Sequence, residues 1–344
     1  MTSAPGTGDA RAEALTAFAV RALSTPAHSP REVPFTLAPA SADASFRRYF
    51  RITPQTPWHG HATLIVMDAP PPMEDTRPFV HVAALLRNAG LNAPLVLADD
   101  SAQGFLLLTD LGRETYLEVL DAESAPALYS DATDALIRWQ HATRGGELPP
   151  YDEALLAREL SLFPDWYAAR HRATVLDEAQ QSVLAGAFRL ILDNNLAQPK
   201  VFVHRDYHSR NLMLAKPNPG ILDFQDAVEG PITYDLVSLL RDAYVEWDED
   251  RQIDWAVRYW QRARKAELPV DADFSTFWRD FEWMGVQRQL KVLGIFARLY
   301  HRDGKSAYLA DMPRVLRYLC RACERYDALR PLRALLDEIH GGAA

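Results

Sequence analysis

The strongest structural signal in the chain is VFVHRDYHSRNLMLAKPNPGILDFQDAVEG, residues 201–230. An apolar run ends at Val203 and leads into the polar loop that holds Asp206, and Asn211 follows five residues later. Residues 212–214 are apolar again, and a segment rich in proline and glycine turns the chain back toward Asp223. Alternation of short apolar runs with turn residues predicts a strand, a loop and a hairpin. These elements would aim Asp206, Asn211 and Asp223 at one place.

The spacing of these polar residues matches the H-R-D-x-x-x-x-N loop of kinases and, nearly, their D-F-G metal site. Phosphoryl transfer needs positioning and charge neutralisation, so Asp206 would orient or accept the proton of the attacking hydroxyl. Asn211 and Asp223 offer the hard oxygen ligands that Mg²⁺ prefers and shares with the phosphates of ATP. A lone aspartate after a strand can also form a turn. The joint spacing of three residues favours the catalytic interpretation.

Composition places the chain among globular proteins and excludes several classes of partner. The 344 residues are 48% hydrophobic and 24% charged, with a formal net charge of −9 and no run of basic residues, which argues against nucleic-acid binding. We expect neither a signal peptide nor a membrane span. Cys320 and Cys323 lie in a helical pattern without a second ligand pair, which predicts structural thiols. The expectation is a cytoplasmic protein with no evident obligate protein partner.

The first part of the chain predicts a small sheet that covers a nucleotide. Residues 10–23 and 77–88 have helical periodicity, and strands are expected between residues 34 and 109. SADASFRRYFRI, residues 41–52, occupies the place of a glycine-rich loop but has no glycine. Its small residues, Ser45 among them, could still bring backbone amides to a phosphate. Alternation puts Arg48 on the opposite face from Arg47 and Arg51, although a solvated basic strand is the alternative.

The strand at residues 61–67 carries Met67 where a protein kinase has its phosphate-binding lysine, and the helix at 77–88 lacks the glutamate that would pair with it. Loss of both partners leaves no buried charge unpaired. Either an arginine takes over the phosphate contact or the protein is a pseudokinase, and the retained Asp206, Asn211 and Asp223 favour the first. An ordinary strand end is the alternative for the predicted adenine-binding connector at 109–111. The predicted ATP contacts are Ser45, Arg48, Met67, Thr109, Asp110 and Leu111.

Beyond Gly112 the pattern becomes mostly helical, with helices expected at 123–143, 151–170, 176–195, 236–247 and 274–300. The predicted fold class is therefore α+β and two-lobed, with a small antiparallel β-sheet lobe at 1–110 and a larger helical lobe at 111–344. Asp235 is the expected N-cap of the helix at 236–247 and, with His204, supports the catalytic loop. A solvated face is the alternative for the basic residues of the last helix. The predicted acceptor contacts are Arg205, His208, Arg241, Arg288 and Lys291.

VHRDYHSRNLM with ILDFQDAVEGPITYDLVSLLRDAY resembles the aminoglycoside phosphotransferase branch of the kinase-like fold, which includes choline and methylthioribose kinases. DASFRRYFRI, MDAPP, LLLTDLG and KVLGIFARLYHRDGK more narrowly resemble the bacterial anomeric amino-sugar kinases, over nearly the whole chain. Met67 fits the pattern of that subfamily. The resemblance implies a two-lobed protein-kinase-like fold.

The same resemblance implies an enzyme that uses ATP and Mg²⁺ to phosphorylate the anomeric hydroxyl of N-acetylmuramic acid and N-acetylglucosamine. The α-1-phosphate products would feed cell-wall recycling. Arg48 or Arg205 would neutralise developing charge, and Arg241, Arg288 and Lys291 are candidates to meet the lactyl carboxylate. Another small-molecule acceptor or a nucleotide-binding pseudokinase remains open. The basic residues at 274–300 speak against polycationic aminoglycosides as acceptors.

Overall fold

The computed structural model describes residues 10–24, 33–42 and 46–341. It divides into two compact units, and neither unit is continuous in sequence. The first unit comprises Met1–Arg113 with Met213–Gln225, and the second comprises Glu114–Leu212 with Asp226–Ala344. The first contains an antiparallel sheet and the second is mostly helical, so the predicted fold class is confirmed.

The first unit is built on a five-stranded antiparallel sheet. Its middle strands, LIVMD and FLLLT, each have four consecutive apolar residues before a polar last residue, because both of their faces are covered. Arg48 pairs with Asp68 in the register between the second and third strands. The strands are β1 (Phe35–Ala42), β2 (Arg48–Pro54), β3 (Leu64–Asp68), β4 (Val96–Asp100) and β5 (Phe105–Thr109), in the order β1-β2-β3-β5-β4.

Helices α1 (Ala10–Leu23) and α2 (Arg77–Asn88) begin and end where the periodicity predicted. The apolar face of α1 packs its Leu15 and Phe18 into a core with Leu64 and Phe105 of the sheet. Burial of a leucine or phenylalanine side chain stabilises a fold by about 1.5–3 kcal/mol. The packing of α1 therefore contributes substantially to the first unit.

The segment Met213–Gln225 packs with the first unit, although the prediction placed it in the helical lobe. Its core is the hairpin of β7 (Leu212–Met213) and β8 (Gly220–Ile221). The backbone N–H of Ile221 donates to the carbonyl of Asn92 at 2.8 Å, and the Asn92 side chain donates to the carbonyl of Pro217 at 2.6 Å. These bonds join residues distant in sequence, so local pattern could not reveal them.

The second unit surrounds a two-stranded antiparallel sheet of β6 and β9 with helices. Cys320 and Cys323 lie on the tenth helix as free thiols. No helix among the described residues is long and apolar enough to cross a membrane. The elements are α3 (Tyr116–Val119), α4 (Ala125–His141), α5 (Glu153–Leu162), α6 (Glu178–Ala197), β6 (Lys200–Val203), β9 (Val228–Pro231), α7 (Tyr234–Leu240), α8 (Glu249–Lys265), α9 (Phe274–Asp303), α10 (Met312–Arg325) and α11 (Arg330–Ile339).

Two expectations for this unit were wrong in detail. The helix predicted at 151–170 changes at Phe163 into a π-helix, Phe163–His171, whose second residue, Pro164, lacks the N–H that a regular α-helical ladder would need. The helix predicted at 236–247 is α7, and it ends at Leu240. There the Asp242 carboxylate accepts the N–H of Tyr244 at 2.9 Å and closes a turn that competes with further helix.

Candidate active site

The catalytic loop is anchored to α7 through Asp235. The carboxylate accepts the backbone N–H of His204 at 2.6 Å and of Arg205 at 3.0 Å. Arg205 has φ +76°, a left-handed conformation that a non-glycine residue adopts only when its surroundings hold it there. Asp235 lies within the first turn of α7, and its N-cap position is occupied by Thr233, so the predicted N-cap role of Asp235 was wrong. The carboxylate binds the loop instead of capping the helix.

Asp235 is fully buried, and this burial raises the pKa of its carboxyl to about 7. The two N–H donors of the loop and the charge of Arg288 act in the opposite direction. The charge of nearby Asp206 adds to the increase in pKa. Ionised Asp235 can accept both N–H groups at once, so its ionisation and the loop geometry are coupled.

Asp206 and Asn211 are brought together by the loop itself. The side-chain amide of Asn211 donates to the carbonyl of Asp206 at 3.0 Å, and the N–H of His208 donates to the same carbonyl at 3.1 Å. The N–H of Asp206 donates to Nδ1 of His204 at 3.3 Å. The predicted catalytic aspartate therefore lies in a closed hydrogen-bonded turn.

Burial alone would raise the pKa of Asp206, but nearby cations outweigh it and lower the pKa below its ordinary value. Lys291 has the largest such effect, followed by His208, Arg205 and Arg288. An opposite charge near a carboxylate favours its ionised form. Asp206 is therefore an anion at neutral pH.

A buried ionic network behind the loop was missed by the sequence analysis. Glu159 on α5 accepts a hydrogen bond from the Arg205 guanidinium at 2.5 Å and lies 3.0 Å from Nζ of Lys291. The hydroxyl of Tyr151 also donates to Glu159, and Lys291 donates to the Tyr234 hydroxyl at 2.9 Å. Burial opposes the ionisation of Glu159, yet Lys291 and Arg205 lower its pKa. Two of the five predicted acceptor contacts are thus engaged by one carboxylate.

Arg241 likewise forms an ion pair with a buried carboxylate. Its guanidinium is 2% exposed and donates to Glu282 at 2.9 Å, while Arg325 and Tyr326 donate to the same carboxylate. The Arg241 cation also lies 5.0 Å from the centre of the Phe281 ring. A predicted contact of Arg241 with the acceptor stays a prediction, and its observed role is to pair a buried acid.

Arg288 and His208 belong to the second unit and influence Asp206. Both are buried, and both act electrostatically on Asp206. The His208 ring meets the Tyr244 ring edge-on at 5.4 Å, and burial lowers the pKa of the His208 imidazole. Arg210, which the sequence analysis did not single out, stacks its guanidinium over Tyr244 at 3.7 Å. We call Asp206, His208, Arg210, Tyr244 and Arg288 the acceptor wall, after the predicted contacts of His208 and Arg288 with the acceptor.

In the first unit, Asp223 follows the hairpin with φ +59° and accepts a hydrogen bond from the Gln225 side chain at 2.8 Å. Its carboxylate is one of the charges that act on Arg47, whose guanidinium also pairs with Glu74 at 3.0 Å. Burial opposes the charge of Arg47, but Tyr49, Glu74 and Asp223 together raise its pKa. The sequence did not predict this electrostatic interaction between Arg47 and the proposed metal ligand Asp223.

The remaining predicted nucleotide contacts take part in the sheet and its connector. Arg48 donates to the buried Asp68 at 2.6 Å, and Arg11 of α1 binds the same carboxylate. The Thr109 hydroxyl accepts the N–H of Leu95 at 2.9 Å, and Arg51 pairs with Asp110 at 2.5 Å. Met67 is fully buried, Leu111 is half-buried, and Ser45 lies outside the described residues. Their contact with a nucleotide stays a prediction.

Known proteins similar to this chain are phosphotransferases and kinases. Residues 36–274 match the model of the phosphotransferase enzyme family. The chain is 53% identical over 311 residues to the N-acetylmuramate/N-acetylglucosamine kinase of Pseudomonas aeruginosa, covering 90% of each chain. It is 49% identical over 314 residues to the protein of the same name from Pseudomonas putida, covering 91% of each. The streptomycin–ATP ternary complex of APH(2")-IIa has the same fold, with a TM-score of 0.57 at 13% identity over 91% of this chain and 97% of that one.

Proposed function

Since the chain belongs to the phosphotransferase enzyme family, we propose that it is an ATP-dependent kinase for the anomeric hydroxyl of N-acetylmuramic acid and N-acetylglucosamine. The observation that carries the proposal is the half-buried, ionised Asp206 on a loop anchored by Asp235. The names of the two Pseudomonas relatives support the choice of acceptor. The α-1-phosphate products would enter peptidoglycan recycling in the cytoplasm, where ATP is present.

In this reaction the sugar 1-hydroxyl attacks the γ-phosphorus of ATP, the bond to the bridging oxygen breaks and ADP leaves. The proton of the hydroxyl passes to Asp206 and then to water. An anomeric hydroxyl is more acidic than an ordinary alcohol, so a carboxylate of low pKa suffices as its acceptor. Asp206 acts mainly by holding the hydroxyl in line with the phosphorus.

Asn211 and Asp223 are the proposed ligands of Mg²⁺. The donor set fits the ion because both side chains offer oxygen, and the Asn211 nitrogen is engaged with the Asp206 carbonyl. When bound, the ion would neutralise negative charge on the phosphates of ATP. On the nucleotide side we propose contacts from Ser45, Arg48, Met67 and the connector at 109–111.

The test compares the full-length wild-type protein with Asp206→Asn in ATP and Mg²⁺. A panel of free sugars, amino alcohols and aminoglycosides is followed by ADP release and product mass. We expect an acid-labile phosphate only on sugars with a free anomeric carbon. Removal of the catalytic group should lower kcat by about 10²–10⁴-fold while ATP binding persists, because general acid–base groups contribute that much.

The exposed Asp250→Asn variant removes one carboxylate elsewhere and is expected to keep wild-type rates. Normal turnover of Asp206→Asn would disprove the assignment of this residue. Transfer to an amine or aminoglycoside hydroxyl, or ATP binding without transfer to any acceptor, would disprove the sugar kinase.

A further inference from the structure

Arg288 is a buried cation without a paired anion. Its side chain is 4% exposed, its Nη1 has no hydrogen-bond partner, and no acidic side chain in the described part of the chain forms an ion pair with it. A buried charge normally has a partner because removal from water costs several kcal/mol. Arg288 therefore retains an N–H donor that no group among the described residues satisfies.

The other basic candidates are already neutralised. Lys291 and Arg205 share Glu159, and Arg241 is held by Glu282. Arg210 is exposed, so solvent and salt screen its charge. Arg288 is therefore the cation of the acceptor wall with the greatest capacity to bind an added anion.

Arg288 also acts where a cation is needed to offset the repulsion between nearby carboxylates and an acidic acceptor. Asp206 and the buried Asp242 are both carboxylates near His208, and an acceptor that carries its own carboxylate would be repelled there. The Arg288 charge acts on Asp206, His208 and Tyr244, which are three of the four other residues of the acceptor wall. Nδ1 of His208 is a second buried polar atom without a partner on the same wall.

Resting on the proposed function, we propose that Arg288 binds the lactyl carboxylate of N-acetylmuramate and sets the preference of the enzyme for acidic over neutral amino sugars. A guanidinium offers two parallel N–H donors that match the two oxygens of a carboxylate. The same cation, which forms no ion pair with a described residue, disfavours polycationic acceptors. N-acetylglucosamine lacks the carboxylate and leaves Arg288 to water.

The experiment measures kcat/KM of the full-length enzyme for three acceptors: N-acetylmuramate, its methyl ester and N-acetylglucosamine. The ester keeps the shape of the acid and removes its charge. In the wild type we expect the acid to exceed the ester by tenfold or more. Arg288→Gln should lower kcat/KM for the acid about 100-fold more than for the ester or N-acetylglucosamine, since a desolvated charge-assisted pair is lost. Arg288→Lys should restore part of the difference.

Arg302→Gln on the same helix is the matched control, because Arg302 is exposed and pairs with its neighbour Asp303. It should leave all three values unchanged. A parallel fall for all three acceptors in Arg288→Gln would show that Arg288 acts only through Asp206 or the fold, and the proposal would fail. Equal wild-type rates for acid and ester would overturn it without any variant. Failure of the wild type to phosphorylate any of the three sugars would instead count against the proposed function.

Discussion

The buried carboxyl of Asp235 gives stability a specific dependence on pH. Its pKa is about 7 in the folded protein and ordinarily 3.8, so between these values the folded state holds a proton that the unfolded state has released. Raising the pH from 5 to 8 removes this proton, and the free energy of unfolding falls. We expect a loss of about 2.7 kcal/mol from this group, at about 1.4 kcal/mol for each of the two pH units between pH 5 and the folded pKa.

Urea unfolding of the wild type and of Asp235→Asn at pH 5 and pH 8 measures this contribution. The variant has no proton to lose, so its stability should fall less over the same interval. Burial lowers the pKa of the His208 imidazole, but this residue is common to both proteins and its contribution cancels in the difference. Parallel losses of stability in the two proteins would contradict the raised pKa of Asp235.

At the scale of residues, a shared motif predicted which side chains the catalytic loop brings together, and their chemical roles stay predictions. Asp206, Asn211 and Asp223 belong to one motif, and two of them, Asp206 and Asn211, are joined by a hydrogen bond at 3.0 Å within one loop. Glu159 was not predictable, because it precedes Arg205 by 46 residues and lies in a helix without any motif. A sequence shows which residues are basic, but only the fold shows which of them form an ion pair with a carboxylate.

At the scale of elements, the crossing of α5 and α9 positions the ionic network behind the catalytic loop. An ideal Cβ at Gly294 would lie 2.5 Å from the carbonyl carbon and oxygen of Leu162, at the end of α5. One turn before these residues on each helix are Lys291 and Glu159, whose charged atoms lie 3.0 Å apart. Close packing of the helices at Gly294 therefore allows the ion pair to form.

Gly294→Ala should destabilise the protein by about 1–3 kcal/mol, because the added methyl meets backbone that cannot move aside easily. It should also lower kcat, since separation of the helices pulls Lys291 from Glu159. Chemical denaturation and steady-state kinetics measure both effects. An unchanged midpoint and rate would contradict the close approach.

Gly186→Ala on α6 is the matched control, because a Cβ there meets nothing within 4 Å. Alanine is favoured over glycine in a helix, so this variant should gain about 0.5–1 kcal/mol and keep its rate.

Hydrophobic periodicity predicted where these helices occur, but it did not predict where every helix ends. Helices α1 and α2 have the predicted bounds because their apolar faces are regular and the local sequence determines where each helix begins and ends. The early end of α7 depends on a turn made by the Asp242 side chain, which also accepts the N–H of Ser209 at 2.9 Å. The second of these bonds comes from a distant part of the chain, and no local pattern encodes it.

At the scale of the whole molecule, the sequence order of the parts does not reproduce their packing. The predicted boundary after residue 110 lies close to the observed division at Arg113, but Met213–Gln225 packs with the first unit. Phe224 shows why: it is fully buried, and its ring centre lies 4.7 Å from that of Phe79 on α2. Hydrophobic pattern predicts that Phe224 is buried, but not which helix covers it.

This arrangement predicts how the chain behaves when it is cut between Arg113 and Glu114, in an exposed connector. The fragment 1–113 alone lacks the hairpin that binds Asn92 and covers Phe79 with Phe224, so it should not unfold cooperatively. The fragment 114–344 carries that hairpin and should bind 1–113 when the two are co-expressed. Co-purification through a tag on one fragment, followed by kinase assay, measures reassembly.

Phe224→Ala in the larger fragment should weaken reassembly, since loss of a buried phenylalanine costs about 3–5 kcal/mol. The exposed Leu214→Ala change in the same segment is the control and should not weaken it. Cooperative unfolding of 1–113 by itself would contradict the assignment of the hairpin to the first unit. Reassembly that ignores Phe224 would show that other contacts hold the hairpin in place. Both experiments test whether Phe224, the neighbour of the proposed metal ligand Asp223, stabilises the first unit and thereby fixes the position of Asp223.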